Sequence, residues 1–261
     1  MAESETIAPE SQTIKKVEAM KRIVLIVLMG LVLGNFAGAD IYIKDVVRTD
    51  TYVDGELVGS KETAVNEMWI GDNKIAYMTP PRILILDLEE KQIFIVNRSA
   101  KTYVEAALPL DISKLLSEQV KSRFKMYKTT GTVKETGESK EIMDRNCKEY
   151  EVTSQAMYGD TVRGTNKFKV WATTDVSFDL GIYETMLRNL RMISNRDERY
   201  REELRKIRGI QMRIEMTTEQ DGAEVKYVEE KVEMSEKQPP AGIYSAPSGF
   251  TRKDKLTSED F

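Results

Sequence analysis

The chain has 261 residues, with 39 Lys plus Arg against 43 Asp plus Glu, one Cys and no His. Without histidine there is no Ser-His-Asp triad, no Cys-His pair, no His-ligated zinc and no imidazole base. A single Cys excludes an intramolecular disulfide framework and a Cys-clustered metal site, and the formal charge of −4 lacks the basic excess of a dedicated nucleic-acid binder.

The first feature in chain order is the apolar run Ile23 to Leu33, preceded by Lys21 and Arg22 and followed by Ala37-Gly38-Ala39. A cationic start, an apolar middle and a small-x-small site are the three parts of a cleavable secretory signal. The expected cut follows Ala39, and residues 1–39 form the signal. The polar stretch 1–19 is foreign to that layout, and Met20 opens the compact form, which makes it a second candidate start. The alternative is an uncleaved anchor, for which 17 residues is short. Cys147 is too far from the cut to carry a lipid, so the expected mature protein is periplasmic, with no stable transmembrane anchor.

Beyond the signal, short runs rich in β-branched and aromatic residues predict strands at 41–53, 65–71, 74–79, 82–88, 91–97 and 101–107. Turn pairs such as Asp54-Gly55 and Asp72-Asn73 separate them; both residue types tolerate the positive φ of tight hairpins. The runs Ile83 to Leu86 and Ile93 to Val96 are apolar on both faces, which predicts cover on both sides or a cavity on one. Residues 111–127 change to helical period, with Ile112, Leu116, Val120, Phe124 and Tyr127 three or four apart and Asp111 as N-cap. Strands return at 128–135, 138–143, 146–154 and 163–174, with Thr136-Gly137 and Gly159-Asp160 as turns. A second helix is predicted over 179–207 on the stripe Ile182, Met186, Leu190, Ile193, Tyr200, Leu204 and Ile207, interrupted at 195–199 and stopped by Gly209. Residues 210–218 alternate cleanly, with Ile210, Met212, Ile214 and Met216 on one face. A strand at 223–234, a Pro-rich loop or crossover at 237–249 and a fraying tail at 251–261 complete the chain.

About a dozen strands with short connections predict an antiparallel meander. Two amphipathic helices that cannot fit between short-looped strands must lie over one face of it. The expected fold is α+β: a curved antiparallel half-barrel of about eleven strands with two helices over the concave face, forming one domain over 40–250.

Several segments carry a likeness. They are Val133-Lys134-Glu135-Thr136-Gly137-Glu138, Cys147-Lys148-Glu149-Tyr150-Glu151-Val152, Trp171-Ala172-Thr173-Thr174-Asp175, Pro239-Pro240-Ala241-Gly242-Ile243-Tyr244 and Pro247-Ser248-Gly249-Phe250. Together with the export signal, they resemble an uncharacterised secreted bacterial family, domain of unknown function 4412, which looks like a relative of the lipoprotein-carrier fold of LolA and LolB. The resemblance implies a curved sheet closed by helices over a greasy cavity, a periplasmic home and binding of a hydrophobic ligand. It carries no catalytic residue across.

Trp69, Tyr77, Phe94, Tyr103, Phe124, Trp171, Met186 and Leu190 are the candidate cavity-lining residues, with ordinary core packing as the competing account. Met126, Met192, Met212 and Met216 suit a pliable pocket or fill gaps in a core. Cys147 reads as a small buried hydrophobe on a strand. The acids adjacent in sequence do not make a hydrolytic dyad: Glu229 and Glu230 sit on a strand and point to opposite faces, while Glu202 and Glu203 are balanced by Arg205 and Lys206. The Arg-rich stretch 188–208 is interleaved with acids and reads as a solvated face, the alternative being contact with anionic lipid headgroups. The expectation is a non-enzymatic binder of a lipid or lipoprotein acyl chain, with no cofactor, no metal and no nucleic acid. Two alternatives remain: a structural or protein-interaction module of the envelope with a filled core, and a carboxylate hydrolase with two acids in one cleft.

Overall fold

The computed structural model describes residues 39–194, 196–220 and 223–261. The expected export signal lies outside them apart from Ala39, as do Asn195, Asp221 and Gly222.

The elements follow in the order β1 (Asp40–Val53), β2 (Glu56–Ile70), β3 (Lys74–Met78), β4 (Arg82–Asp87), β5 (Gln92–Asn97), β6 (Thr102–Ala107), α1 (Ile112–Leu115), α2 (Glu118–Met126), β7 (Tyr127–Ile142), β8 (Arg145–Tyr158), β9 (Thr161–Thr173), α3 (Leu180–Ile193), α4 (Glu198–Leu204), β10 (Ile210–Gln220), β11 (Ala223–Lys237) and β12 (Thr251–Arg252). A short 3₁₀ turn at Ser258–Asp260 follows. All twelve strands form one curved, unclosed sheet in the order β12-β6-β5-β4-β3-β2-β1-β11-β10-β9-β8-β7. The predicted α+β half-barrel is therefore the observed fold. Every pairing is antiparallel except that of β12, which lies parallel to β6 for two residues.

Two turns show how local chemistry sets the meander. Asp54 and Gly55 both have positive φ, 50° and 83°, the two-residue hairpin that Asp-Gly favours. Thr136-Gly137, read as a turn between two strands, is instead a bulge. The register slips between Glu135 and Ser139, Gly137 takes φ 89°, and β7 continues on both sides because both halves pair with β8.

The two predicted helices are four. Asp111 caps α1, accepting from the Ser113 amide at 3.2 Å, and Ser117 starts α2, accepting from Val120 N at 3.4 Å. Between them the C-terminal segment docks: Leu256 N donates to Leu115 O (2.7 Å) and Ser117 N to Leu256 O (2.9 Å). Farther on, Asp179 caps α3 through Gly181 N (2.8 Å) and Asp197 caps α4 through Tyr200 N (2.7 Å). Here the chain leaves the helix to touch the sheet, with Asp197 N donating to Thr129 O at 3.0 Å. In both cases a backbone pairing from elsewhere in the chain takes over from the helical bonds.

The tail does not fray. Leu256 is 1% exposed, and Asp260 is gripped by the Lys253 ammonium (2.5 Å) and the Asn97 amide (3.2 Å). The Pro-rich segment 238–250 is a crossover. It spans seven strand steps, from β11 to β12, or about 34 Å. Thirteen residues reach about 43 Å when extended, so the segment has little slack. Tyr244 donates to the Asp40 carboxylate, fixing the crossover beside the Tyr42–Trp69 ring pair (4.8 Å between centroids).

The two faces of the sheet separate by register. Trp69, Ala76, Ile85 and Phe94 stand opposite one another across β2 to β5 on one face. Tyr77, Leu84, Ile95 and Val104 do so on the other. The second row belongs to the main core, with Ile43, Met68, Ile182, Met186 and Met212. A second core gathers Val133, Tyr150, Val152 and Val170 under Tyr200, Leu204 and Ile207. Thus α3 covers one part of the sheet and α4 another. No helix of the described residues is long and apolar enough to cross a membrane.

Candidate functional site

A cavity of about 360 Å³ lies between these two cores. Its roof comes from α3 (Tyr183, Met186, Leu187, Leu190), from Ser194 and Arg196, and from α4 (Tyr200, Leu204). Its floor comes from strands near the middle of the sheet: Met68, Tyr77, Asp45, Lys231, Met212, Ile214, Val170 and Phe168. The cause is the break in the second helix. A continuous helix over 179–207 would present one unbroken stripe, whereas α3 and α4 diverge onto separate cores and leave the seam unfilled.

Three of the predicted lining residues are there: Tyr77, Met186 and Leu190. Trp69 and Phe94 sit in the row on the other face of the sheet, and Tyr103 pairs with Val96 on that same face. Trp171 alternates with the cavity residue Val170 and so points away from it; its ring lies under the Lys140 ammonium, 3.4 Å from the centroid. Phe124 stacks edge-on with Phe261 at 5.2 Å, at the docked tail. None of these five aromatics lines the cavity. An aromatic on a strand carries no mark of which face will meet the helices.

The cavity also holds polar groups absent from the candidate set. Lys231 Nζ donates to Asp45 Oδ1 at 2.8 Å, and both side chains are almost wholly buried. Burial disfavours the Lys231 charge, but the Asp45 carboxylate, with Tyr183 and Glu229, outweighs it and raises the pKa. Glu229 accepts from Asn66 Nδ2 at 3.4 Å. Its pKa is raised, first by burial and then by the negative charge of Asp45. Burial likewise raises the hydroxyls of Tyr77 and Tyr183. Glu230 points to the opposite face, bound by Arg48 (3.0 Å) and Arg213 (2.9 Å), so Glu229 and Glu230 diverge as alternation requires. The acids that one cleft does bring together are Asp45 and Glu229, from different strands, and Lys231 neutralises the first.

Arg191 and Arg196 also line the cavity, contrary to the reading of this stretch as a solvated face. Arg191 is 8% exposed. Burial lowers its pKa and Arg196 lowers it further; burial lowers that of Arg196 too. The guanidinium of Arg196 sits 6.0 Å from the centroid of the Tyr200 ring. Among the described residues neither arginine forms an ion pair with a carboxylate. Arg196 falls in the predicted break of the stripe, whereas Arg191 lies within α3, where the stripe carried no signal for it. Cys147 is fully buried, and burial pushes its thiol up, as expected of an inert core residue. Among the described residues no group of three or more His, Cys, Asp or Glu is placed to hold a metal ion.

A wide cupped sheet, with helices roofing an apolar seam that has a buried polar floor, defines the class of protein. The family described as "Domain of unknown function (DUF4412)" matches residues 52–250, and the chain belongs to it. No curated protein matches. One solved structure that it is similar to, described as "Structure of PNGF-II in P21 space group", shares 13% identity at a TM-score of 0.39. That match covers 85% of this chain but spans only 33% of the other.

Proposed function

We propose that the chain is an exported, periplasmic, non-enzymatic protein that holds a lipid or another hydrophobic ligand in the seam between its two cores. The observation that carries this reading is the cavity itself. At about 360 Å³ it falls at the small end of ligand sites, and its wall is mainly aliphatic, methionine and aromatic. Each methylene buried in such a space contributes about 0.8 kcal/mol, and Met68, Met186 and Met212 adapt their shape to a flexible chain. The resemblance of its sequence segments to the lipoprotein-carrier fold supports this reading, under which the protein works in envelope lipid handling.

The test is native mass spectrometry of the protein recovered after export, together with displacement of a fluorescent fatty acid from stripped protein. A lipid adduct and saturable displacement are expected. Leu187→Trp, which fills the seam from α3, should abolish both while leaving the circular-dichroism spectrum unchanged. No adduct, no displacement and unchanged behaviour in L187W would overturn the proposal.

A second reading, a protein-interaction module of the envelope, is favoured by one observation: the β1–β2 hairpin exposes Val53, Leu57 and Val58, the last at 60%. Crosslinking in cells that captures a protein through this hairpin, with the cavity empty, would select it.

A further inference from the structure

Resting on the ligand-binding reading above, we infer that the cavity takes a single-chain amphiphile with an anionic head, and that Arg191 and Arg196 hold that head. The charges of the lining decide the sign. Asp45 and Lys231 cancel in a 2.8 Å ion pair. Glu229, in the floor, is engaged by the Asn66 amide at 3.4 Å. That leaves two guanidinium groups facing the space without a carboxylate. Arg196 and Arg205, both cations, are among the strongest influences on Arg191, and Arg205 is committed to Glu202 at 2.9 Å.

Burying cations beside one another is costly unless an anion joins them. Arg191 lies in the last turn of α3, where the helix C-terminus offers a cation partial relief. That relief cannot use the planar fork of donors, which fits a carboxylate or phosphate through paired hydrogen bonds. Much of the rest of the wall, including Met186, Leu187, Leu190, Met212 and Val170, is apolar and suits a tail. The volume admits one chain; a diacyl or triacyl lipid would need a site nearer the upper end of the usual range, about 1,000 Å³. The shared head chemistry is a compact anion, either the carboxylate of a fatty acid or the phosphate of a single-chain phospholipid.

The experiment measures binding to the exported protein, stripped of lipid, of dodecanoate, dodecyl phosphate and dodecanol, with acetate and inorganic phosphate as heads without tails. At least one of the two anionic chains should bind about tenfold or more tighter than dodecanol. The tighter of the two identifies the source of the head. Acetate and phosphate alone should not displace either. Arg191→Gln and Arg196→Gln should each lower the affinity for the preferred anion about tenfold and leave dodecanol unchanged, whereas Arg188→Gln, on the exposed side of α3, should change nothing. Dodecanol binding as tightly as both anions would overturn the inference while leaving the apolar cavity in place. Failure of every chain to bind would overturn the ligand-binding reading itself. Full affinity for acetate or phosphate alone would make the site a small-anion site and overturn the amphiphile. The headgroup comparison on the unaltered protein decides the matter even where an arginine variant fails to fold.

Discussion

At the scale of single residues, the buried ion pair of Lys231 and Asp45 is a sensitive point. Lys231 and Asp45 compensate each other with side chains only 6% and 4% exposed. Removing one partner leaves an unpaired charge, so Lys231→Met is expected to cost about 3–5 kcal/mol in urea unfolding. The pair Asp45→Asn with Lys231→Met should recover a substantial part of that loss, because no lone charge remains. Glu229 behaves in the opposite sense. Its pKa is raised above the ordinary 4.5, so the native state holds the proton more tightly than the unfolded chain does. The resulting stability is fully present below the ordinary glutamate range and is lost as pH rises through the raised value. Glu229→Gln, which keeps an acceptor for Asn66, is therefore expected to be more stable than the natural protein at neutral pH, on the order of 1 kcal/mol. Thermal melts at stepped pH should show that difference closing on acidification toward the ordinary glutamate pKa. A gap that widens on acidification would contradict the sign.

At the scale of elements, α4 depends on one point of close approach. A methyl group on Gly131 would come within 2.3 Å of the Thr153 carbonyl oxygen and 2.5 Å of the Tyr200 ring. Glu203 adds a second anchor, accepting from Val133 N at 2.9 Å. Gly131→Ala is accordingly expected to cost about 1–3 kcal/mol through overpacking. Because it displaces α4 rather than α3, it should also change the affinity for a fatty-acid probe. Val133→Ala, beneath the same helix, should lower stability with less effect on the probe, since Val133 lies in the second core but not in the cavity wall. The same elements show how far local patterns reach. The stripe from Ile182 to Ile207 is a correct record of which side faces the sheet. It carries no record of the Asp197–Thr129 backbone bond that divides it in two. Likewise, Asp54-Gly55 announces a hairpin by composition, whereas the turn at Met143-Asp144, with φ 50° and 57°, is imposed on ordinary residues by the register of β7 and β8.

At the scale of the whole molecule, the C-terminal segment completes the fold. It crosses the sheet, adds the edge strand β12, inserts Leu256 between α1 and α2 and closes on Asn97 through the Glu259 carbonyl at 2.7 Å. Leu256→Ala is expected to cost about 2–5 kcal/mol, and protease cleavage within 251–261 should lower the melting temperature rather than trim an inert end. An unchanged melting temperature after such cleavage would show that the contacts contribute nothing to stability.

Hydrophobic alternation, helical stripes and turn residues were enough to specify an antiparallel α+β half-barrel, because those signals act between neighbours in the chain and the period of an element is set by backbone geometry. Of the eight candidates named from the sequence, three line the cavity: Tyr77, Met186 and Leu190. Which face each aromatic meets, where the helices break, which acid and base find each other across β1 and β11, and that Arg191 and Arg196 turn inward were decided only in three dimensions. Those outcomes depend on contacts between segments up to 186 residues apart, as Asp45 and Lys231 are. Such contacts leave no mark on the local order of residues.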